Sequence, residues 1–159
     1  MEEHNPYTPP TAEISGSHEQ PELKYVGFWA RTLATLIDTV ILLLITLPPL
    51  LGIYGMVYLE SDTLVQGPAH FLISYLFPAI AIIMFWKYKQ ATPGKMAISA
   101  IIVDADTGEK PSIGQLIGRY FAYLISMLPL GLGCIWVAFD KRKQGWHDKL
   151  AGTLVISKT

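Results

Sequence analysis

Three charged side chains lie inside or at the edge of stretches that are otherwise strongly apolar. Arg31 and Asp38 are seven residues apart, so on a helix they share one face, with Asp38 about 10 Å further along. An aspartate near the centre of a membrane helix costs roughly 2.5 to 3.5 kcal/mol, and such a group usually faces the protein interior with a partner. Arg119 lies at a similar depth in another predicted helix. The sequence therefore predicts an intramembrane ion pair between Asp38 and Arg119.

Small residues near these charges would allow two helices to approach closely. Ala34 and Asp38 lie on one helical stripe, and Gly114 and Gly118 form a GxxxG step beside Arg119. A buried ion pair in this position either takes part in ion transfer or only fixes helix packing. The residues alone leave both interpretations open.

The remaining candidate residues lie near the membrane surface. Arg31 is expected to reach either Asp140 or Asp148, and the sequence does not choose between them. His147 beside Asp148 is a secondary candidate for a proton relay, although a hydrogen-bonded turn is the more common role of such a pair.

Windows without charge indicate the elements that must position these residues. Residues 39–59, 63–86 and 120–139 run for 21, 24 and 20 positions without Asp, Glu, Lys or Arg, and about 20 apolar residues in a helix cross a bilayer core. The first span is predicted over 29–47, where Pro48 and Pro49 end or kink it. The second is predicted over 69–86, with Pro78 tolerated inside it.

The third window is predicted to be broken rather than one clean helix. Ser112 and Gln115 form a capping box that opens a helix through Met127, and a Pro and two Gly at 129–133 then interrupt it before a short helix over 134–140. Two β-branched stretches, 96–103 and 152–156, are predicted to be strands that pair.

The basic residues predict the topology. Of the 12 Lys and Arg, two occur up to Arg31, none between the first two spans, five over 87–119 and five from 141 onward. Positive charge favours the cytoplasmic side, so the N-terminus, the 87–119 segment and the C-terminus are all expected there. Three full crossings cannot produce that arrangement, which favours a re-entrant third segment over a simple crossing.

Several classes of protein are disfavoured by the same residues. The basic residues lie beside the apolar windows instead of forming a basic face, which argues against a nucleic-acid-binding protein. No metal is expected, because His70 has no second His or Cys at ligand spacing. No cofactor is expected, and no nucleophile, base and orienting group occur at a recognisable spacing, so an enzyme is not expected. Residues 1–24 are rich in Pro and Glu and are predicted to be a disordered cytoplasmic tail.

Several separated motifs follow one another over about residues 25–156: Gly27-Phe28-Trp29-Ala30-Arg31, Ile37-Asp38, Thr92-Pro93-Gly94-Lys95, Val103-Asp104, Arg119, Phe139-Asp140, and Gly145-Trp146-His147-Asp148-Lys149-Leu150-Ala151-Gly152-Thr153. In this order they resemble the RDD family of small prokaryotic membrane proteins, named for one arginine and two aspartates. The resemblance implies that the family's arginine and first aspartate are Arg31 and Asp38, and that its second aspartate is Asp140 or Asp148. Transport has been proposed for the family, and sodium/proton antiport for some members.

These observations predict an all-α, multi-pass protein of the bacterial inner membrane. It has two transmembrane helices, a broken or re-entrant third segment and a small cytoplasmic strand pair, within one domain over 25–156. The leading function is transport of an unidentified ion or small solute through an Asp/Arg pair. Its expected partners are the bilayer and, if the protein is a transporter, further copies of the chain. The alternative is a membrane scaffold or assembly factor in which the buried charges only fix packing.

Overall fold

The computed structural model describes residues 23–158. The tail predicted over 1–24 therefore lies outside the described residues, apart from Leu23 and Lys24. The helices are α1 (Phe28–Tyr54), α2 (Val57–Glu60), α3 (Pro68–Phe71), α4 (Phe77–Lys89), α5 (Pro93–Ala97), α6 (Ile113–Met127), α7 (Leu132–Ile135) and α8 (Trp146–Leu150). The strands are β1 (Ala100–Asp104) and β2 (Thr153–Ser157).

The first predicted span is longer than the sequence indicated. Pro48 and Pro49 neither end α1 nor separate it into two helices, and the helix continues to Tyr54. Each proline removes one backbone donor, which is a small loss in a helix of 27 residues. The helix ends at Gly55, whose positive φ of 69° suits glycine and whose N–H donates to the carbonyl of Leu51.

The second predicted span is a continuous helical segment with a wider turn in its middle. A π-helical stretch over Leu72–Leu76 joins α3 to α4. The N–H of Phe77 donates to the carbonyl of Leu72, five residues back, just before Pro78, which has no N–H to donate. Both α1 and the 68–97 segment are long and apolar enough to cross a membrane.

The predicted strand pair is confirmed. The two strands are antiparallel, with Ile102 opposite Val155, and Tyr25 forms an isolated bridge to Ile156. The first strand begins later than the predicted residue 96, because Thr92 caps α5 and the helix extends to Ala97. The sheet thus joins the start of the described chain, its middle and its end at one end of the molecule.

The predicted break in the third apolar window is also confirmed. The capping box of Ser112 and Gln115 opens α6. Beyond Met127 the chain turns, and the following helical piece over 132–138 is bent by 111° from α6. That piece consists of α7 and a 3₁₀ turn over Trp136–Ala138 rather than the single helix predicted over 134–140.

Candidate functional site: a buried charge cluster beside a row of cavities

Asp148 is the centre of a buried charge cluster that joins three parts of the chain. Its Oδ2 lies 2.5 Å from Nη1 of Arg31, and its Oδ1 lies 2.5 Å from Nη2 of Arg119. The side chains of Asp148 and Arg119 are fully buried. One carboxylate therefore ties α1 and α6 to α8.

The short helix α8 holds the Asp148 carboxylate in place. Its Oδ2 accepts the backbone N–H of Gly145 at 3.0 Å, the contact expected of an acidic side chain in the first turn of a helix. Arg31 is fixed independently, because its Nε donates to the carbonyl of Val26 and its Nη2 to that of Lys143. The Arg31 guanidinium therefore has protein partners on three of its sides.

Arg119 has a different environment, formed by aromatic faces and a hydroxyl. Its Nη1 donates to the Thr153 hydroxyl at 2.7 Å. Its guanidinium carbon lies 5.4 Å from the ring centre of Trp86 and 5.8 Å from that of Tyr123, within the range of cation–π attraction. Burial of this cation is therefore offset by a carboxylate and two rings.

The cluster keeps Asp148 ionised. Burial alone would raise the pKa of Asp148, but the positive charges of Arg119 and then Arg31 outweigh that effect and hold the pKa well below its usual range. At neutral pH the group is a carboxylate.

His147 is a buried neutral ring that packs against Tyr123. It stacks on Tyr123 with the ring centres 3.8 Å apart, and within the described part of the chain neither of its ring nitrogens has a hydrogen-bond partner. Burial lowers the pKa of His147 to about 3; the Asp148 charge opposes this shift, while Arg119 and Arg31 add to it. The predicted relay partner, Asp148 Oδ1, lies 3.6 Å from its Nε2, beyond hydrogen-bond length.

The predicted Asp38–Arg119 ion pair is wrong. Arg119 pairs with Asp148, whereas Asp38 accepts the Thr92 hydroxyl at 2.5 Å and the backbone N–H of Gly94 at 2.7 Å. Among the described residues Asp38 forms no ion pair. The carboxylate therefore ties α1 to the start of α5.

The two aspartates left open as partners of Arg31 have different positions. Asp148 contacts Arg31, whereas Asp140 lies in a surface turn, where it pairs with Lys149 and accepts the backbone N–H groups of Arg142 and Gln144. These contacts, led by the Lys149 hydrogen bond, lower the pKa of Asp140. Asp148 is thus the aspartate that meets the arginine.

Lys95 is a candidate that the sequence did not single out. The residue is only 8 % exposed, and in residues 23–158 its ammonium makes no ion pair or hydrogen bond. Its Nζ lies over the ring of Trp86, 5.9 Å from the ring centre. The Thr92-Pro93-Gly94-Lys95 motif is the signal in the sequence, but it does not show that the lysine is buried.

Three cavities follow one another along α1. The first, of about 230 Å³, is lined by residues including Arg31, Thr35, Lys95, Tyr123 and His147. The second, of about 240 Å³, shares Thr35, Lys95 and Tyr123 with the first and adds Asp38 and Thr39. The third, of about 300 Å³, shares Thr39 and Leu42 with the second and extends to Leu50.

Threonines of α1 contribute the polar groups along this row. Their hydroxyls donate to the carbonyl four residues back, as in Thr35 to Arg31, Thr39 to Thr35 and Thr46 to Leu42, at 2.8 to 2.9 Å. Each hydroxyl hydrogen is thereby used, so the groups that remain available to an ion in the cavities are the lone pairs of the hydroxyl oxygens.

Across residues 23–158 no group of three or more His, Cys, Asp or Glu is placed to hold a metal ion.

The fold and the site define a class: a small, mostly helical protein with two apolar helices of membrane-spanning length and a buried Arg–Asp–Arg cluster beside them. The model of the RDD family matches residues 25–152. The chain belongs to the RDD family, and together with the apolar helices this membership indicates a membrane protein.

Two relatives of the chain are uncharacterized proteins. The chain is 31 % identical to YxaI of Bacillus subtilis (strain 168) over 158 residues, which covers 85 % of this chain and 99 % of that protein. It is 43 % identical to RP437 of Rickettsia prowazekii (strain Madrid E) over 74 residues, covering 46 % of this chain and 40 % of that protein. The chain thus spans two fifths of the Rickettsia protein. No solved structure matches the chain significantly.

Proposed function

We propose that this protein carries a small ion or solute across the bacterial inner membrane along the face of α1 that lines the three cavities. The observation that carries the proposal is their continuity, because neighbouring cavities share lining residues from Arg31 to Leu50. At 1.5 Å per residue this stretch of α1 is about 28 Å long, close to the hydrocarbon thickness of about 30 Å.

The chemistry of the lining favours a cation coupled to protons, in the manner of sodium/proton antiport. Threonine oxygens and the Asp38 carboxylate line the second cavity, and oxygen ligands suit hard cations. Asp38 carries no ion-pair partner within the described segment, so its charge is available to a proton or to a metal cation. An ionisable group at membrane depth is a common mark of such a pathway.

The proposed topology has the sheet end on the cytoplasmic side. Tyr25, β1 and β2 lie together, which supports a topology in which the chain between the two strands begins and ends on the same side of the membrane. The turn between α6 and α7 exposes large apolar side chains, with Leu128 81 % and Leu130 94 % exposed, as expected of a tip that enters the bilayer and returns. The basic segments favour the cytoplasm for this end.

A second copy of the chain would complete the pathway wall. Thr35 and Thr39 are exposed in the single chain although they line the cavities. A polar stripe of this kind on an otherwise apolar helix is poorly suited to acyl chains. We therefore propose a homo-oligomer in which α1 faces its counterpart.

Flux measurements with Asp38→Asn test the proposal. Purified protein is reconstituted into liposomes that contain a pH-sensitive dye, and a sodium, potassium or lithium gradient is then imposed. We expect the wild type to exchange protons for at least one of these cations. The exchange rate of Asp38→Asn should be at least about tenfold lower, because the amide cannot exchange a proton. The matched control Asp62→Asn changes an exposed loop residue and should retain the wild-type rate.

A scaffold or assembly factor is the second candidate, favoured by one specific observation. Both Asp38 oxygens hold the start of α5 against α1, which is also what a purely structural carboxylate would do. Flux that is absent in the wild type, or equal in wild type and Asp38→Asn, would contradict transport and favour this role.

A further inference from the structure

The first cavity brings together two buried polar side chains that have no hydrogen-bond partner among the described residues. Lys95 is 8 % and His147 is 3 % exposed, and both line this cavity. Neither the Lys95 ammonium nor the His147 ring has a hydrogen bond to another described residue. Buried polar groups are nearly always hydrogen-bonded. These two side chains therefore favour a bound ligand in the space between them.

The charges around the cavity indicate the sign of that occupant. Arg31, Arg119 and Lys95 are cationic, and within residues 23–158 the carboxylate of Asp148 is the one that pairs with the two arginines. Asp38 lines the second cavity together with Lys95 and can offset one further charge, although the two residues form no ion pair. A surplus of one to two positive charges remains in a largely buried region, where it is costly without a counter-ion.

The donors that remain are suited to an oxyanion. The Arg31 guanidinium is used by Asp148, Val26 and Lys143, so it contributes charge and no free fork. The Lys95 ammonium has three N–H donors, and the neutral His147 ring has one. A phosphate group carries one negative charge in a diester and nearly two in a monoester, which matches the surplus.

We propose that the first cavity is an anion site that binds a phosphate group between the Lys95 ammonium and the His147 ring. The phosphate belongs either to a phospholipid headgroup or to free inorganic phosphate, and the chemistry of recognition is the same in both cases. The site lies at the Arg31 end of the row of cavities and shares Thr35, Lys95 and Tyr123 with the second cavity. Its test is a binding measurement and does not depend on the transport proposed above.

Binding to delipidated protein in detergent micelles tests the site. The probes are inorganic phosphate and a short-chain phosphatidic acid, with the corresponding diacylglycerol as the probe that lacks phosphate. We expect a rise in Tm and a saturable binding isotherm for at least one phosphate probe and none for diacylglycerol. Lys95→Met should weaken binding at least about tenfold, because a charge-assisted hydrogen bond is lost.

Two further variants keep the test independent of folding. Lys89→Gln removes the same charge from an exposed position of α4 outside the cavity and should bind like the wild type. His147→Phe keeps the stacking on Tyr123 but removes the ring donor, and we expect it to bind several-fold more weakly. Binding of phosphatidic acid alone identifies a lipid headgroup, whereas binding of both probes identifies the phosphate itself.

The opposite results are equally clear. If the wild type binds neither probe, or if Lys95→Met and His147→Phe bind as tightly as Lys89→Gln, the anion site does not exist. The transport proposal would not be contradicted by that result, because the flux of the Asp38→Asn protein is measured separately.

Discussion

Replacing Asp148 with Asn should lower the free energy of unfolding by about 3 to 5 kcal/mol. The substitution leaves Arg31 and Arg119 without the carboxylate that now contacts both, and Arg119 is fully buried. An uncompensated buried charge is far more costly than the loss of one hydrogen bond. In detergent micelles the Tm should fall by roughly 6 to 20 °C.

Asp106→Asn is the matched control for this prediction. It makes the same chemical change at an exposed residue of the turn after β1, where the expected effect is within about 0.5 kcal/mol. A second substitution, Arg119→Met, should recover part of the loss in Asp148→Asn, because it removes one of the stranded cations. If Asp148→Asn and Asp106→Asn had the same Tm, the central role of Asp148 would be refuted.

Gly94→Ala should be nearly as damaging, for a steric reason. A Cβ at this position would lie 2.0 Å from the carbonyl oxygen of Ala34 and 2.9 Å from Cγ of Asp38. The first contact is with the main chain of α1, so no side-chain rotation relieves it. We expect α5 to be pushed from α1 at a cost of about 3 kcal/mol or more, with loss of the hydrogen bond from Gly94 to Asp38.

Another glycine provides the comparison for that substitution. Gly118 lies within α6, and a Cβ there would meet no atom within 4 Å. Gly118→Ala should therefore be neutral or stabilising by about 0.5 to 1 kcal/mol. Thermal melts of both variants in the same detergent test this prediction. If Gly94→Ala were as stable as Gly118→Ala, α5 and α1 would not be so closely packed.

The helical framework was predictable because it depends on local pattern. Charge-free windows indicated both long helices, and the Ser112 and Gln115 pair marked the start of α6. The apolar strand sequences predicted the pairing of β1 with β2. The π-helical stretch before Pro78 was not foreseen, because the sequence shows where a backbone donor is missing but not how the preceding turn adapts.

The partners of the charges were predictable only in part. Arg31 was expected to reach Asp140 or Asp148, and it reaches Asp148. The prediction of an Asp38–Arg119 pair was wrong because the position of a residue along its helix indicates its depth in the membrane but not which neighbouring helix it faces. Asp38 faces α5 because Gly94 allows close approach there, and a contact of that kind depends on tertiary packing.

The burial of Lys95 also could not be predicted from the sequence. Its motif was recognised, yet a lysine after a Pro-Gly turn is ordinarily solvated, so nothing local predicted its burial. Only the packing of α5 against α1, with Trp86 beside the ammonium, places this cation between two cavities.

Thiol accessibility along α1 tests most directly whether the row of cavities is an aqueous path. In a background in which Cys134, the only native cysteine, is replaced by Ala, single cysteines at Thr35, Thr39 or Thr46 are exposed in membranes to a charged, membrane-impermeant thiol reagent. Cysteines at Val40 and Leu44 are the controls, since these residues are exposed but line none of the three cavities. The account predicts that the three threonine positions react and the two controls do not. Equal protection of all five positions would show that acyl chains fill the row of cavities and that no ion passes along it.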